Sequence, residues 1–414
     1  MDGKHPVPAG ADWKAANPNM IRNALKICMV SHSNYLYDGR IHRYSQSLIQ
    51  HGHWVDMIGL GFKRDAGMET IDGVRVYRIH PRDFGESGPL SYLKNLIVFC
   101  LKSFFHVTRL HLINRYDVIH FHNIPDFGVF ATWAAKCMGA KILLDIHDLV
   151  PEFYMRKFGV RDGHAVIRML RVVEKLACRF ADRVITVTDL WKTVLEQRSV
   201  DAGKCEVIMN CPLSDVFNPL PYTARKKEEP FHLSYHGNLA EQTGVDILID
   251  AMHLLRNEAP GLTLQIIGEG RMETSLKAQA KRLGLEKRIA FLPVTPVMRL
   301  PERMHRVYAG VDPKRSGVYA GETLSVKSME YLGMRIPLIV SRTQAADFYF
   351  RNDEVAFFKP GDASDLARTV LDLVLHEDKR KRLHEHAARF NERYNWNMME
   401  KRYLRLIQSL VRKK

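Results

Sequence analysis

Gly321-Glu-Thr-Leu-Ser-Val-Lys-Ser-Met-Glu-Tyr-Leu-Gly333 is a glycine-bearing loop that turns helical and leads into the apolar strand Pro337-Leu-Ile-Val340. A helix starting near Leu324 leaves its first backbone N–H groups without intrahelical acceptors, and their partial positive charge suits an anion. Glu322 and Glu330 bracket that start, about 12 Å apart at helical rise. Each carboxylate can accept two hydroxyl hydrogens, so the pair fits a ligand with diols at both ends and an anionic middle. Two solvated glutamates on a surface helix would show the same spacing.

Outward from this stretch, short apolar runs alternate with helical patterns. Strands are expected at 25–30, 55–60, 74–79, 117–122, 141–146, 184–187 and 206–208, with helices at 41–50 and 127–138 between them. The alternation restarts at 232–236 and continues through a helix at 245–257 and strands at 263–267, 289–292, 311–313, 337–340 and 355–358. Such a pattern predicts parallel sheets covered by helices on both faces. Between the halves lies 212–230, with four prolines and the charged run Arg225–Glu229, which is linker composition. The expectation is α/β: two Rossmann-like, doubly wound domains facing a cleft, with ligands at the carboxyl ends of the strands. The boundaries predicted are an arm over 1–24, an acceptor-side domain over 25–215, a nucleotide-binding domain over 216–393, and a final helix over 394–414 running back towards the first domain.

At 414 residues, the chain exceeds what one hydrophobic core usually supports. Its net charge of +15 is spread over both halves, which suits anionic substrates or an acidic membrane surface better than a nucleic-acid groove. The six cysteines form no Cys-x-x-Cys pair, and most sit in apolar runs. The first 24 residues lack the apolar centre of a signal peptide, and no run of eighteen uncharged apolar residues predicts a spanning helix. A reducing cytoplasmic setting is expected.

Several residues could carry chemistry. Gly237 and Gly244 flank a strand-to-helix loop, and Ile267-Gly-Glu-Gly-Arg271 forms a second. With the Glu322 loop they make three glycine-bearing strand ends in one domain, although any βα turn favours glycine. In the first half, His147 follows a buried strand, where it can face a ligand or be satisfied by Asp148. His120 and His122 alternate along one strand. With no close helical histidine pair and no thiolate partner, these histidines are not expected to bind zinc. No Asp-x-Asp triplet offers a metal-held diphosphate site. Residues 91–113 and 166–180 join apolar faces to basic stripes: Lys94, Lys102, His106 and Arg109 on one, Arg168, Arg171, Lys175 and Arg179 on the other. That pattern fits peripheral contact with an anionic membrane, or a core helix with a solvated face.

From about residue 25 onward the chain resembles retaining glycosyltransferases of family 4, nucleotide-sugar-dependent enzymes of the GT-B fold. The likeness rests on Glu322 and Glu330 running into Tyr331-Leu-Gly-Met-Arg-Ile-Pro337, on Asp145-Ile-His-Asp148, on the Gly237 loop with Val245-Asp-Ile-Leu-Ile-Asp-Ala251, on Ile267-Gly-Glu-Gly270, and on Phe390-Asn-Glu-Arg-Tyr-Asn-Trp396. It implies that Glu330 accepts the ribose hydroxyls and that Glu322 contacts the donor sugar. Backbone amides of Thr323, Leu324 and Ser325 would hold the diphosphate, and Gly237 and Asn238 would line the donor site. His147 would reach the donor sugar from the other domain. Neither an active-site metal nor a cofactor beyond the nucleotide sugar is implied.

Three departures qualify the likeness. An Arg and a Lys that grip the diphosphate in many relatives are replaced here by Asn238 and Thr243, removing charge where the leaving group develops it. Lys327 is placed to compensate. The first strand is followed by Tyr35-Leu-Tyr-Asp-Gly-Arg-Ile-His-Arg43 rather than a Gly-Gly loop, leaving Arg40 and His122 for the acceptor or a phosphate. The reaction expected is metal-independent, retaining transfer of a hexosyl or N-acetylhexosaminyl group from a nucleoside diphosphate sugar to a glycan or lipid-linked acceptor, in polysaccharide biosynthesis. A nucleotide-sugar epimerase and a degenerate sugar-nucleotide-binding protein are the alternatives.

Overall fold

The computed structural model describes residues 24–61, 67–81, 89–222, 229–317 and 323–411. Two compact units emerge, each built on its own sheet. The first comprises residues up to 186, then 192–207 and 402–414, and the second comprises 187–191 and 208–401. The division therefore falls earlier than the expected 215/216 boundary. It also cuts the final helix, so that only its residues from Arg402 onward group with the first unit. The predicted arm lies almost wholly outside the described residues, as do 223–228 of the predicted linker.

In the first unit, the strands are β1 (Lys26–Ser31), β2 (Trp54–Gly61), β3 (Gly67–Ile71), β4 (Val74–Pro81), β5 (Val118–His122), β6 (Lys141–Ile146), β7 (Arg183–Thr186) and β8 (Cys205–Val207). Their order is β3-β4-β2-β1-β5-β6-β7-β8, parallel except for the β3–β4 hairpin. Burial on both faces explains why β1 reads as a continuous apolar run, and β5 is buried throughout despite its two histidines. Sequence periodicity missed β3, whose residues are mostly exposed. Its signal was the Asp72-Gly73 pair, which turns the hairpin with φ of 47° and 83°.

The helices here are α1 (Gly39–Gln50), α2 (Pro89–Asn114), α3 (Trp133–Cys137), α4 (Val150–Phe158), α5 (Ala165–Phe180) and, from Lys192 onward, α6 (Asp189–Arg198). The helix expected over 127–138 is mostly a 3-10 segment, Asp126–Thr132, followed by the short α3. Chain order reverses between β1 and β5, so the crevice at their carboxyl ends is the unit's topological switch point.

The second unit carries β9 (Phe231–His236), β10 (Leu262–Ile267), β11 (Ile289–Leu292), β12 (Ala309–Asp312), β13 (Leu338–Ser341) and β14 (Ala356–Phe358), in the order β11-β10-β9-β12-β13-β14. All five pairings are parallel. The switch point lies between β9 and β12. Helices α7 (Val245–Leu254), α8 (Glu273–Arg282), α9 (Val326–Gly333), α10 (Gln344–Tyr349), α11 (Ala363–Leu375) and α12 (Glu377–Arg393) follow, and α13 (Trp396–Val411) ends the described chain. Gly310 in β12 leaves room for the Tyr331 ring, whose hydroxyl donates to the Ser234 carbonyl at 2.8 Å. That buried anchor fixes α9, and with it Glu330, against the ends of β9 and β12.

Candidate functional site

The second unit's site gathers at its switch point. β9 delivers His236, whose Nε2 donates to Glu330 Oε2 at 2.6 Å. Both side chains are about nine-tenths buried, and both line a pocket of about 540 Å³. Glycine backbones form much of the wall: Gly237, Gly268 and Gly270 all line it, with φ of 125°, 154° and 159°. A Cβ at Gly268 would overlap the Gly237 carbonyl, and one at Gly270 would overlap that of Leu239. The two loops thus pass each other at a distance only glycine allows. Another cavity, of about 430 Å³, lies around the starts of β9 and β13. The carboxyl-end pocket is the better candidate, because ligands of open parallel sheets bind there.

Beside the pocket, β12 ends in Asp312. Lys327 Nζ approaches its Oδ1 at 3.4 Å, and Ser328 Oγ donates to its Oδ2 at 2.8 Å. Burial works against charge on both partners. The pairing prevails, lowering the Asp312 pKa and raising that of Lys327. Lys327 also packs against the Gly237 loop and sits 4.9 Å from the Tyr235 ring centre. Lys314, which sequence reading missed, donates to the Thr323 carbonyl at 2.8 Å. It lies two residues beyond β12, a position that could have flagged it.

The helix expected from Leu324 begins at Val326, with Ser325 as its N-cap. Thr323 and Leu324 therefore precede the helix rather than open it, and the helical amides at its start belong to Val326, Lys327 and Ser328. Glu322 lies outside the described residues. Asn238 accepts from the Tyr235 hydroxyl through its carbonyl at 2.8 Å, and Thr243 Oγ1 donates to the Ala240 carbonyl at 2.6 Å.

The first unit has a cluster of its own at the β1/β5 switch point. Asp145, near the end of β6, is its hub; sequence reading quoted it within Asp145-Ile-His-Asp148 but assigned it no role. His122 Nδ1 donates to Asp145 Oδ2 at 2.8 Å; Arg40 Nε lies 3.6 Å and His147 Nδ1 3.9 Å from the same oxygen. Asp38, which caps α1, pairs with Arg40 at 3.3 Å. Next to His122, His120 hydrogen-bonds the Tyr403 hydroxyl at 3.0 Å, and the two imidazoles lie tilted at 36° with centres 3.9 Å apart. Asn123 holds the arrangement: its Oδ1 accepts from the His147 amide at 3.1 Å, and its Nδ2 donates to the Asp148 carbonyl at 2.6 Å. His147 thus approaches Asp145, the carboxylate two residues before it.

Charge is fixed in this cluster. Burial favours a neutral Asp145, but Arg40 and His122 hold its carboxyl well below the usual range. Burial and then Arg40 depress His147, while burial and then His122 depress His120. Buried atoms that make no hydrogen bond within the protein remain on Arg40 (Nε), His120 and His122 (Nε2), Asp145 (Oδ1) and His147 (Nδ1). Hydroxyl-rich ligands satisfy such a mixed set of donors and acceptors. His120, His122 and Asp145 also bring potential metal-ligating atoms within 4.8 Å of one another. The sequence had set these histidines aside for lack of a close helical histidine pair and a thiolate partner, and the third group here is a carboxylate, Asp145. Against a cation stands Arg40, whose fixed positive charge faces the same carboxylate.

Family models match both halves: "Glycosyl transferase 4-like domain" over residues 39–211 and "Glycosyl transferases group 1" over 222–390. The chain belongs to the GT4-type glycosyltransferase family. Among the family's curated members, an uncharacterized glycosyltransferase of Haemophilus influenzae is 28% identical over 38% of this chain and 41% of its own length. The glycogen synthase of Mycobacterium tuberculosis is 26% identical over 50% of each chain. This chain thus spans about half the length of the first curated relatives it matches. Among solved structures, the sucrose-phosphate synthase of Thermosynechococcus elongatus superposes with a TM-score of 0.73 at 19% identity, covering 93% of this chain and 99% of that one. Anabaena HepE in complex with UDP and glucose gives 0.69 at 18% identity, covering 93% and 100%. At these identities the likeness speaks for the fold, which is GT-B. Within this GT4-type chain the pocket, Glu330 and Lys327 all fall in the group 1 match, and Arg40, His122 and His147 in the 4-like match.

Proposed function

We propose that the protein is a retaining, metal-independent glycosyltransferase that moves a hexosyl or N-acetylhexosaminyl group from a nucleoside diphosphate sugar, with UDP-sugars as the leading donors, to a glycan or lipid-linked acceptor. The carrying observation is the buried His236–Glu330 pair in a pocket walled by glycine backbones. A carboxylate whose one oxygen is held by an imidazole keeps its second free for ribose hydroxyls. UDP is favoured because HepE, of like fold, holds UDP in its complex.

In this reading the bond between the anomeric carbon and the diphosphate oxygen breaks through an oxocarbenium-like state. The acceptor oxygen bonds to the same face, and its proton passes to the departing diphosphate. Lys327 and the amides opening α9 meet the charge that develops there, in place of the positive groups missing at Asn238 and Thr243. Glu322 and His147 are assigned to the donor sugar, and Arg40 and His122 to the acceptor or its phosphate. The setting is cytoplasmic polysaccharide synthesis at the inner membrane face, in peripheral contact with an anionic bilayer.

Calorimetry of the purified protein with UDP, GDP, ADP and dTDP, with and without EDTA, tests the donor site. Selective, EDTA-insensitive binding of one nucleotide supports it, and EDTA-sensitive binding would return the His120–His122–Asp145 cluster to consideration as a metal site. Nucleotide release that needs an added acceptor separates a transferase from an epimerase. Tight binding with no turnover on any acceptor would favour a degenerate protein.

A further inference from the structure

The helices following β4, β5 and β6 all serve rightward crossovers in the first sheet. By the right-handed rule they cover one and the same face. That layer contains α2, the Asp126–Thr132 segment with α3, and α4 with α5. Contacts bear this out: the 3-10 segment packs against both α2 and α5, and Lys157 of α4 sits 3.8 Å over the Tyr92 ring of α2.

The outer side of this layer is apolar. On α2, Leu93, Ile97, Leu101 and Phe105 recur every four residues along one exposed stripe, with Phe105 67% exposed. On α5, Met169, Val172 and Leu176 do the same at helical spacing, and Trp133 lies exposed on α3. Large apolar side chains exposed together on neighbouring helices mark a surface that binds something.

Charge around the patch is predominantly positive. No acidic residue occurs between Glu86 and Asp117, so α2 carries only Lys94, Lys102 and Arg109. Exposed Arg168, Lys175 and Arg179 flank the α5 stripe. The acids of α4 and α5, Glu152 and Glu174, are buried and taken by Arg198 at 2.6 and 2.7 Å. Asp162, between those helices, is paired with Arg171 at 3.0 Å.

Residues 91–114 are long and apolar enough to cross a membrane by length and composition, a helix the uncharged-run criterion had passed over. The opposite face of α2 argues against spanning: Leu96, Phe99, Ser103 and Val107 are buried, and the helix packs on β1, β2 and β4. A helix held in this way can lie along a bilayer but cannot cross it without baring the sheet.

We propose that this helical layer is a docking surface for an anionic lipid bilayer, with the α2 and α5 stripes seated in the interface and the basic rim at the headgroups. The proposal deepens the membrane-side part of the transferase reading and rests on it for its purpose. Its geometry stands within the first unit alone.

The test is co-sedimentation of the full chain with vesicles of phosphatidylcholine, alone or mixed with phosphatidylglycerol. Mixed vesicles should bind the protein, neutral ones far less, and added salt should weaken the binding. The pair Leu101→Asp and Phe105→Asp should abolish it, and the set Lys94→Glu, Arg168→Glu and Lys175→Glu should weaken it about tenfold or more. All five positions are exposed, and far-UV circular dichroism and melting temperatures matching those of the natural protein would show that the variants fold. Failure of the natural protein to bind either vesicle, or variants that bind equally well, would overturn the proposal. So would a dimer by light scattering that the aspartate pair dissociates, since a second copy would then cover the face. A protein that docks but binds no nucleotide sinks the transferase reading alone; one that binds UDP but no vesicle sinks docking alone.

Discussion

His236 and Glu330, 94 residues apart in sequence, meet at 2.6 Å where β9 ends and α9 passes. The imidazole fixes one carboxylate oxygen and so orients the other. Glu330→Ala should weaken UDP binding by about 1–3 kcal/mol, since hydrogen bonds to a charged acceptor are lost. His236→Ala should weaken it less, and the double variant should lose less than the sum, because the two act as one unit. Calorimetric titration with UDP measures all four corners of the cycle. Unchanged affinity in Glu330→Ala would remove its ribose role.

Lys327 already neutralises Asp312, so its removal has two effects. Lys327→Ala should lower the melting temperature by leaving a buried carboxylate without its partner. In a transfer assay with the matching nucleotide sugar, it should lower kcat more than it raises KM, because it acts on developing charge. Equal effects on both would mean plain ground-state binding.

Gly268 is the tightest point of the pocket. Gly268→Ala places a Cβ against the Gly237 carbonyl at a φ of 154°, where other residues are strained. The expected cost is about 1–3 kcal/mol of stability in the second unit, with loss of UDP binding. Chemical denaturation and calorimetry read the two effects separately.

The histidine cluster predicts acid sensitivity. Burial and His122 push the His120 pKa well below its ordinary value, and burial and Arg40 lower that of His147. Below about pH 6.5 the unfolded chain takes up protons that these native imidazoles refuse, so stability falls as pH falls. Asp145, held low, adds a further loss only below its ordinary range near pH 4. Urea midpoints measured from pH 8 to 5 should therefore decline, and His120→Gln should flatten the decline.

Arg198 holds two buried carboxylates, Glu152 on α4 and Glu174 on α5. Arg198→Ala should cost about 3–5 kcal/mol, the usual penalty for stranding a buried charge. Adding Glu174→Gln should recover part of it. Thermal melts of the single and double variants check this.

Sequence alone determined the alternation of strands and helices, the two doubly wound units, and the placing of glycines at the ends of β9 and β10. Those features follow from periodicity and φ preference, which are local. The helix from 326 and the strand at 338–341 appeared within two residues of their expected starts. The exposed β3 hairpin escaped because its strand lacks a buried face, although Asp72-Gly73 marked its turn.

What only the tertiary structure decided is which polar groups share a site. Asp145 became the hub for Arg40, His122 and His147 because parallel pairing aligns His122 with Asp145 across β5 and β6. Tyr403 reached His120 from a distance of 283 residues, and Lys327 met Asp312 through the β12–α9 arrangement. Pairing of this kind depends on sheet order, and sheet order is set by long-range packing that no local pattern encodes.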